Sequence, residues 1–275
     1  MIWNGAFADK RVLVTGASSG IGREAALAFA AAGAKVGLVA RRREPLEAVA
    51  EDIRSRGGWA LALPADVTRP AAVRRAFAEL TAAVGGVDIV LNNAGLLIPA
   101  RVDELNPKDL TAMFRVNVVG AVTVMQEALR TMRRRGDGGC IINLASLAGR
   151  RGVSPLGGYC ATKFALIGLT EALRSELYGN DIHVGLVLPG VVDTPMAAPF
   201  ADNDDLGRLW PTPLHLPASW VVWAIFAAVQ FRLAEISVPP GAATLEELAV
   251  LVPGLADSVL HWGTRATESI LRLLR

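Results

Sequence analysis

Tyr159 and Lys163 stand four residues apart in a stretch with helical periodicity, so both side chains project from one face of the helix, one turn apart. A phenol is protonated at neutral pH and serves as a general acid/base only when its pKa is drawn toward working pH. A neighbouring ammonium has that effect. Ser146 lies upstream, at the C-terminal end of an apolar run of strand length, which is the edge where open parallel sheets bind ligands.

A second group of residues reads as a phosphate cradle. Thr15-Gly16-Ala17-Ser18-Ser19-Gly20-Ile21-Gly22 joins a strand to a helix, and its glycines fall where backbone amides must approach an anion at a helix N-terminus. The spacing is GxxxGxG rather than GxGxxG, and an ordinary tight strand-to-helix turn remains the other reading. The second strand ends Val39-Ala40-Arg41-Arg42-Arg43, where dinucleotide-binding folds set an acid against a ribose 2′-hydroxyl. No acid stands there. Alanine leaves room for a 2′-phosphate and a guanidinium fork neutralises it, which favours NADP(H) over NAD(H), with a solvated helix start as the alternative.

The elements that must position these residues alternate. Strands are expected at Arg11 to Thr15, Lys35 to Ala40, Trp59 to Leu63, Val87 to Leu91, Gly139 to Leu144, Ile182 to Leu188 and Glu235 to Val238. Between them, helices are expected at Ile21 to Ala32, Glu44 to Arg56, Pro70 to Val84, Pro107 to Arg134, Gly157 to Tyr178 and Ala218 to Phe231. This alternation specifies an α/β fold, doubly wound and Rossmann-like, with a seven-stranded parallel sheet flanked by helices. No linker interrupts it, so residues 1–240 read as one domain carrying both cofactor and substrate sites. After Pro239-Pro240-Gly241, two further helical stretches, Leu245 to Leu251 and Ala256 to Leu274, read as a short C-terminal extension, 241–275, packed on that domain.

Composition narrows the partners. The 275 residues are 52% hydrophobic with a net charge of +2, and the basic residues are scattered, which argues against nucleic acid. The apolar run from Trp220 to Phe231 is short of the roughly 20 residues a bilayer span needs. A peripheral membrane contact stays open, because the stretch 256–275 reads as an amphipathic helix with a basic face. Cys140 and Cys160 form no CxxC and read as small buried hydrophobes in a reducing cytoplasm, and no leader is evident. His183, His215 and His261 share no ligand spacing, so no metal is expected. Asp202, Asp204 and Asp205 read as a solvated loop face, and Trp210, Trp220, Trp223 and Trp262 as core or pocket lining.

Taken together, the glycine loop, Asp66-Val67, Asn92-Asn93-Ala94-Gly95, Asn117, Ser146, Tyr159-x-x-x-Lys163 and Pro189-Gly190 followed by Thr194 resemble the short-chain dehydrogenase/reductase family, in its order and spacing. The resemblance implies a cofactor site formed by Gly16, Ser18, Ser19, Gly20, Ile21, Gly22, Arg41, Arg42, Asp66, Val67, Asn93, Ala94, Gly95, Tyr159, Lys163, Pro189, Gly190, Val192 and Thr194. It assigns Asp66 to the adenine amino group, Asn92 to Gly95 to the adenine ribose and Thr194 to the nicotinamide carboxamide. It implies catalysis by Tyr159 as proton donor to a carbonyl oxygen, Ser146 as hydrogen-bond partner of that oxygen, Lys163 on the nicotinamide ribose, and Asn117 holding a relay water. Two of these residues have plainer readings: Asp66 as a helix cap near Pro70, and Asn117 as a buried amide satisfied by backbone.

The function so implied is NADP-dependent interconversion of a ketone or aldehyde and an alcohol on a largely apolar small molecule. The apolar wall is expected from Leu96, Leu97, Ile98, Val153, Leu156, Met196, Phe200, Leu206 and Leu209. An isomerase, epimerase or dehydratase on the same scaffold, or a non-catalytic NADP-binding regulatory protein, are the rival readings. The family's habit of pairing its two long helices across a twofold axis implies a homodimer or homotetramer.

Overall fold

The computed structural model describes residue 3, residues 5–197, residues 215–244 and residue 254. Seven strands, β1 (Arg11–Thr15), β2 (Lys35–Ala40), β3 (Trp59–Pro64), β4 (Ile89–Asn92), β5 (Gly139–Leu144), β6 (Ile182–Pro189) and β7 (Glu235–Val238), form one parallel sheet in the order β3-β2-β1-β4-β5-β6-β7. The strands are nearly continuous Val/Leu/Ile runs because helices cover both faces. On one face lie α1 (Gly20–Ala31), α2 (Arg43–Ser55) and α7 (Ala218–Gln230), whose Phe29, Leu46, Ile53 and Phe226 are buried together. On the other lie α3 (Pro70–Val84), α5 (Ala121–Arg135) and α6 (Gly157–Glu176), contributing Phe77, Leu80, Val124, Met132 and Leu166.

β1 pairs with β2 on one side (Val12↔Val36) and with β4 on the other (Val12↔Ile89). Strand order reverses there, so the loops leaving β1 and β4 diverge and open a crevice at the C-terminal edge of the sheet. At the opposite edge Asp88 accepts from Arg11 N, Nε and Nη2 at 2.8, 2.7 and 2.8 Å and from Arg135 Nη2 at 2.6 Å. β4 starts at Ile89 rather than at the expected Val87, with Asp88 N donating to Arg11 O (2.8 Å) just before it.

The expected single helix from Pro107 to Arg134 is instead α4 (Pro107–Phe114), a π-helical turn over Arg115–Gly120, and α5. The backbone stays right-handed throughout, so hydrophobic periodicity does not register the wider turn. Trp220 and Trp223, expected as core or pocket lining, are about half exposed and line a second, smaller concavity with Ser237, Val238 and Pro240. They stand on the side of α7 opposite Val221, Ala224, Ile225 and Ala228, which fill the core.

Of the C-terminal extension, Ala242–Thr244 are helical and Ala243 is buried, while the expected helices Leu245 to Leu251 and Ala256 to Leu274 lie almost wholly outside the described residues. So do Phe200, Asp202, Asp204, Asp205, Leu206, Leu209, Trp210, His261 and Trp262. Among the described residues no helix is long and apolar enough to cross a membrane, and no group of three or more His, Cys, Asp or Glu could hold a metal. Cys140 and Cys160 are free and buried, and burial pushes the Cys140 thiol up to about 12.

Candidate active site

The turn between β1 and α1 enters left-handed backbone at Gly16 (φ +67°) and Gly20 (φ +54°), which favours glycine at both. A Cβ on Gly22 would collide with the Gly16 carbonyl oxygen and the Asn93 amide, so this glycine keeps the loop folded onto the end of β4. Thr15 Oγ1 accepts from Asn93 N (2.9 Å) and Ala94 N (3.0 Å), and Asn93 Nδ2 donates to Thr15 O (2.8 Å). The strand ends flanking the crevice are thereby stitched together. Ser19 caps α1 without a side-chain bond to it, and α1 has no acidic residue in its first turn. Its first amides are therefore left without a side-chain cap from Ser19, at the helix end where anions are favoured.

A cavity of about 470 Å³ runs along this edge. Gly16, Ser18, Ser19, Gly20 and Ile21 line it at the turn, followed by Arg41 and Arg42 after β2, Asp66 and Val67 after β3, and Asn93, Ala94 and Gly95 after β4. Ser146, Tyr159, Lys163, Pro189, Gly190, Val192 and Thr194 line it as well. Gly22, Asn92 and Asn117, also expected at the site, are not among the residues that line it. Arg41 and Arg42 are exposed at the rim, and Ala40 is buried at the end of β2.

Ser146 opens a 3₁₀ turn, Leu147–Gly149. Its hydroxyl accepts from Ala148 N (3.2 Å) and donates to Pro189 O (3.3 Å), fixing it at the junction of β5 and β6. Gly149 seats this turn against α6, since a Cβ there would lie 3.0 Å from the Lys163 carbonyl. Tyr159 and Lys163 are both buried in the first turns of α6. Lys163 Nζ donates to Leu144 O (2.8 Å) and lies 5.5 Å from the centre of the Tyr159 ring.

The electrostatics differ from the sequence expectation. Burial pushes the Tyr159 phenol above its usual range, against a smaller downward pull from the Ser146 hydroxyl. Burial also brings the Lys163 ammonium down to about 8. Desolvation is the largest cause of the shift in both groups.

Asn117 sits in the π turn, 1% exposed. Its Oδ1 accepts from Leu96 N (2.7 Å), and Nδ2 donates to Leu96 O (2.8 Å) and Thr162 Oγ1 (2.9 Å). Both amide hydrogens are thus used by protein groups, and the side chain pins the segment after β4 to α6. Asp66 Oδ1 accepts from Thr68 N (2.9 Å) and Oγ1 (2.8 Å), closing the turn before α3, whose own N-cap is Arg69. Asn92, read with its neighbours as lying along a ribose, is instead buried inside β4. Its amide donates to Asn143 Oδ1 (2.9 Å) on β5 and to Ala121 O (3.0 Å), and Asn143 continues to Thr170 Oγ1 (2.9 Å) on α6.

The short chain dehydrogenase profile matches residues 10–205, the span that builds this crevice. The chain belongs to the short-chain dehydrogenase/reductase family. It is 40% identical over 203 residues to a sorbitol dehydrogenase of Cereibacter sphaeroides, covering 72% of this chain and 78% of that one. A Burkholderia cenocepacia short chain dehydrogenase solved in complex with NADP superposes with a TM-score of 0.73 at 36% identity, over 81% of this chain and 91% of that one. A Burkholderia phymatum short chain dehydrogenase/reductase in complex with NAD superposes with a TM-score of 0.82 at 26% identity, over 90% and 95%.

In this short-chain dehydrogenase the apolar end of the cavity is lined by Leu96, Leu97, Val153, Leu156 and Met196, as expected. Ile98 packs behind them against Met113 and Leu156, and the remaining expected wall residues lie outside the described ones. The parts played by three residues were not read from the sequence. Thr15 stitches the strand ends, and its place just before the first glycine was the signal. Thr162 completes the Asn117 bonding, one residue before Lys163 on α6. Arg151 lines the cavity, and nothing in its spacing marks it.

Proposed function

We propose that this protein is an NADP-dependent oxidoreductase that interconverts a ketone or aldehyde and an alcohol on a largely apolar small molecule. The observation that carries the proposal is the convergence of Ser146, Tyr159 and Lys163 on the cavity that begins at the glycine turn and passes Arg41. The uncapped first amides of α1, with Ser18 and Ser19, suit a diphosphate, and Arg41 and Arg42 suit a 2′-phosphate beside Ala40. Asp66 and Val67 would border the adenine, Asn93 to Gly95 its ribose, and Pro189, Gly190, Val192 and Thr194 the nicotinamide end. Reduced NADP, when bound, would supply a hydride, a hydrogen with its electron pair, to the carbonyl carbon.

The protein groups manage the proton. Tyr159, protonated at neutral pH like any phenol and the more so for its burial, donates to the developing alkoxide oxygen in reduction and takes the proton back in oxidation. Ser146 Oγ holds the same oxygen and stabilises its charge. Lys163 would bind the nicotinamide ribose, and its positive charge would favour the phenolate. Asn117 acts at one remove, holding Leu96 against α6 beside the apolar wall. The cofactor-bound neighbours carry NADP in one case and NAD in another, so the preference rests on Ala40, Arg41 and Arg42.

Incubating the protein with NADPH or NADH and a panel of aliphatic, aromatic and cyclic ketones, followed by loss of reduced-cofactor absorbance, tests the reading. Consumption of NADPH in preference to NADH with at least one ketone supports it. Conversion of a compound with no net change in cofactor would point to an isomerase or dehydratase.

A further inference from the structure

Behind the apolar wall, a chain of hydrogen bonds runs from the segment after β4 to the turn of α6 that carries Tyr159. Leu96 lines the cavity, and its backbone N–H and C=O are both engaged by the Asn117 side chain, through Oδ1 at 2.7 Å and Nδ2 at 2.8 Å. Asn117 Nδ2 gives its other hydrogen to Thr162 Oγ1 at 2.9 Å, and Thr162 Oγ1 donates to Tyr159 O at 2.7 Å. Thr162 is fully buried, as Asn117 is. A hydroxyl has one hydrogen, and here Tyr159 O receives it, so toward Asn117 the oxygen can only accept. That demand turns the amide so that Nδ2 faces α6, and it leaves Oδ1 to receive Leu96 N. The direction of the whole chain is therefore set at Thr162.

Thr170 repeats the device farther along α6 with a different destination. Its Oγ1 donates to Leu166 O at 2.6 Å and accepts from Asn143 Nδ2 at 2.9 Å, and neither Thr170 nor Asn143 lines the cavity. Both threonines are buried, and each makes the bond to a preceding helical carbonyl that a threonine inside a helix favours. Of the two chains, the one from Thr162 ends on a residue that a substrate would touch. We propose that Thr162 is a positioning residue: acting through Asn117, its hydroxyl fixes Leu96 relative to Tyr159 and so sets where the carbonyl of an apolar substrate rests beside the phenol. The inference deepens the oxidoreductase reading and rests on it. A fully satisfied buried network rigidifies the elements it joins. Misplacing reacting groups by about 1 Å can cost roughly a hundred-fold in rate, so the tie matters to the chemistry without touching it.

The test compares Thr162→Val, which replaces the hydroxyl by a methyl of similar size, with Thr162→Ser, which keeps it, and with Thr170→Val, which removes the matching hydroxyl away from the cavity. Thermal melting reports folding, and Thr162→Ala takes the place of Thr162→Val should the latter not fold. With NADPH and the ketone that the wild type reduces best, kcat/KM should fall by about ten- to a hundred-fold in Thr162→Val, with the NADPH Kd within about threefold. Thr162→Ser should recover kcat/KM to within about threefold of wild type. Thr170→Val should lower the melting temperature by a similar amount and leave kcat/KM within about threefold. Hydrogen exchange at the Leu96 amide, which needs no turnover, should quicken by at least about ten-fold in Thr162→Val and hold its wild-type rate in Thr170→Val. An unchanged kcat/KM in Thr162→Val, an equal fall in Thr170→Val, or unchanged Leu96 exchange overturns the inference while leaving carbonyl reduction intact. Should the wild type reduce none of the ketones, the oxidoreductase reading fails by itself and the exchange measurement decides the tie. Faster Leu96 exchange confined to Thr162→Val keeps it, and an unchanged rate removes it.

Discussion

In the proposed reaction Tyr159 would start with its proton held more tightly than in water, because it is buried. Protonated phenol is the form that carbonyl reduction needs, and phenolate is the form that alcohol oxidation needs. Oxidation should therefore accelerate as pH rises into the alkaline range. Reduction should hold steady through neutrality and decline above about 8, where free Lys163 loses its charge, in kcat/KM profiles that report the free enzyme. Tyr159→Phe should bind NADPH with little change by fluorescence titration and lower turnover by at least about a hundred-fold, with the alkaline rise in oxidation abolished. At the other end of the crevice, Arg41→Ala should weaken NADPH binding by about ten- to a hundred-fold and NADH binding by less than about threefold. Equal losses for the two cofactors would show that Arg41 does not read the 2′-phosphate.

At the scale of elements, the turn from β1 to α1 works because Gly22 allows it to fold onto Asn93. Gly22→Ala should force the loop off the end of β4, raising the Kd for either cofactor by about ten-fold or more while costing less than about 3 kcal/mol of stability. Intact cofactor affinity in that variant would mean that the contact yields easily. The strands and most helices could be read from the sequence because each is a short buried run or an amphipathic period closed by a turn signal, as with Gly139–Leu144 and Pro70–Val84. The π turn could not, since its one wider turn leaves periodicity almost untouched. Site residues fixed by backbone type were readable, such as Gly16 and Gly20. Those fixed by long-range pairing were not: Asn92 belongs to a buried chain of hydrogen bonds with Asn143 and Thr170 that joins elements far apart in sequence. The ring-face position of Lys163 relative to Tyr159 likewise depends on where Leu144 O lies.

Over the whole molecule, an exposed apolar face and a partly buried charge cluster bear on assembly and survival. Val119, Phe164 and Leu169 leave apolar area open on the π turn and α6, with relative exposures of 56%, 46% and 38%. In the dimer or tetramer that the family resemblance implies, these residues would lie on the paired helices. Light scattering at micromolar concentration should give a dimer or tetramer mass, and Phe164→Glu should lower it. A monomer in the wild type would remove this interface. At the far edge of the sheet, the Arg11 and Arg135 guanidiniums hold the Asp88 carboxyl down at about 2 despite its burial. A carboxylate depressed on folding contributes stability that is fully present above pH about 4 and is lost as pH falls toward about 2. Asp88→Asn should thus cost roughly 2 kcal/mol in urea unfolding at pH 7, a difference that shrinks in acid. This cluster and the Tyr159 site occupy opposite ends of the same strands and share no side chain. Acid tolerance and catalytic rate should therefore be separately adjustable, and an engineer could redraw one end of the sheet for harsher storage without retuning the chemistry at the other.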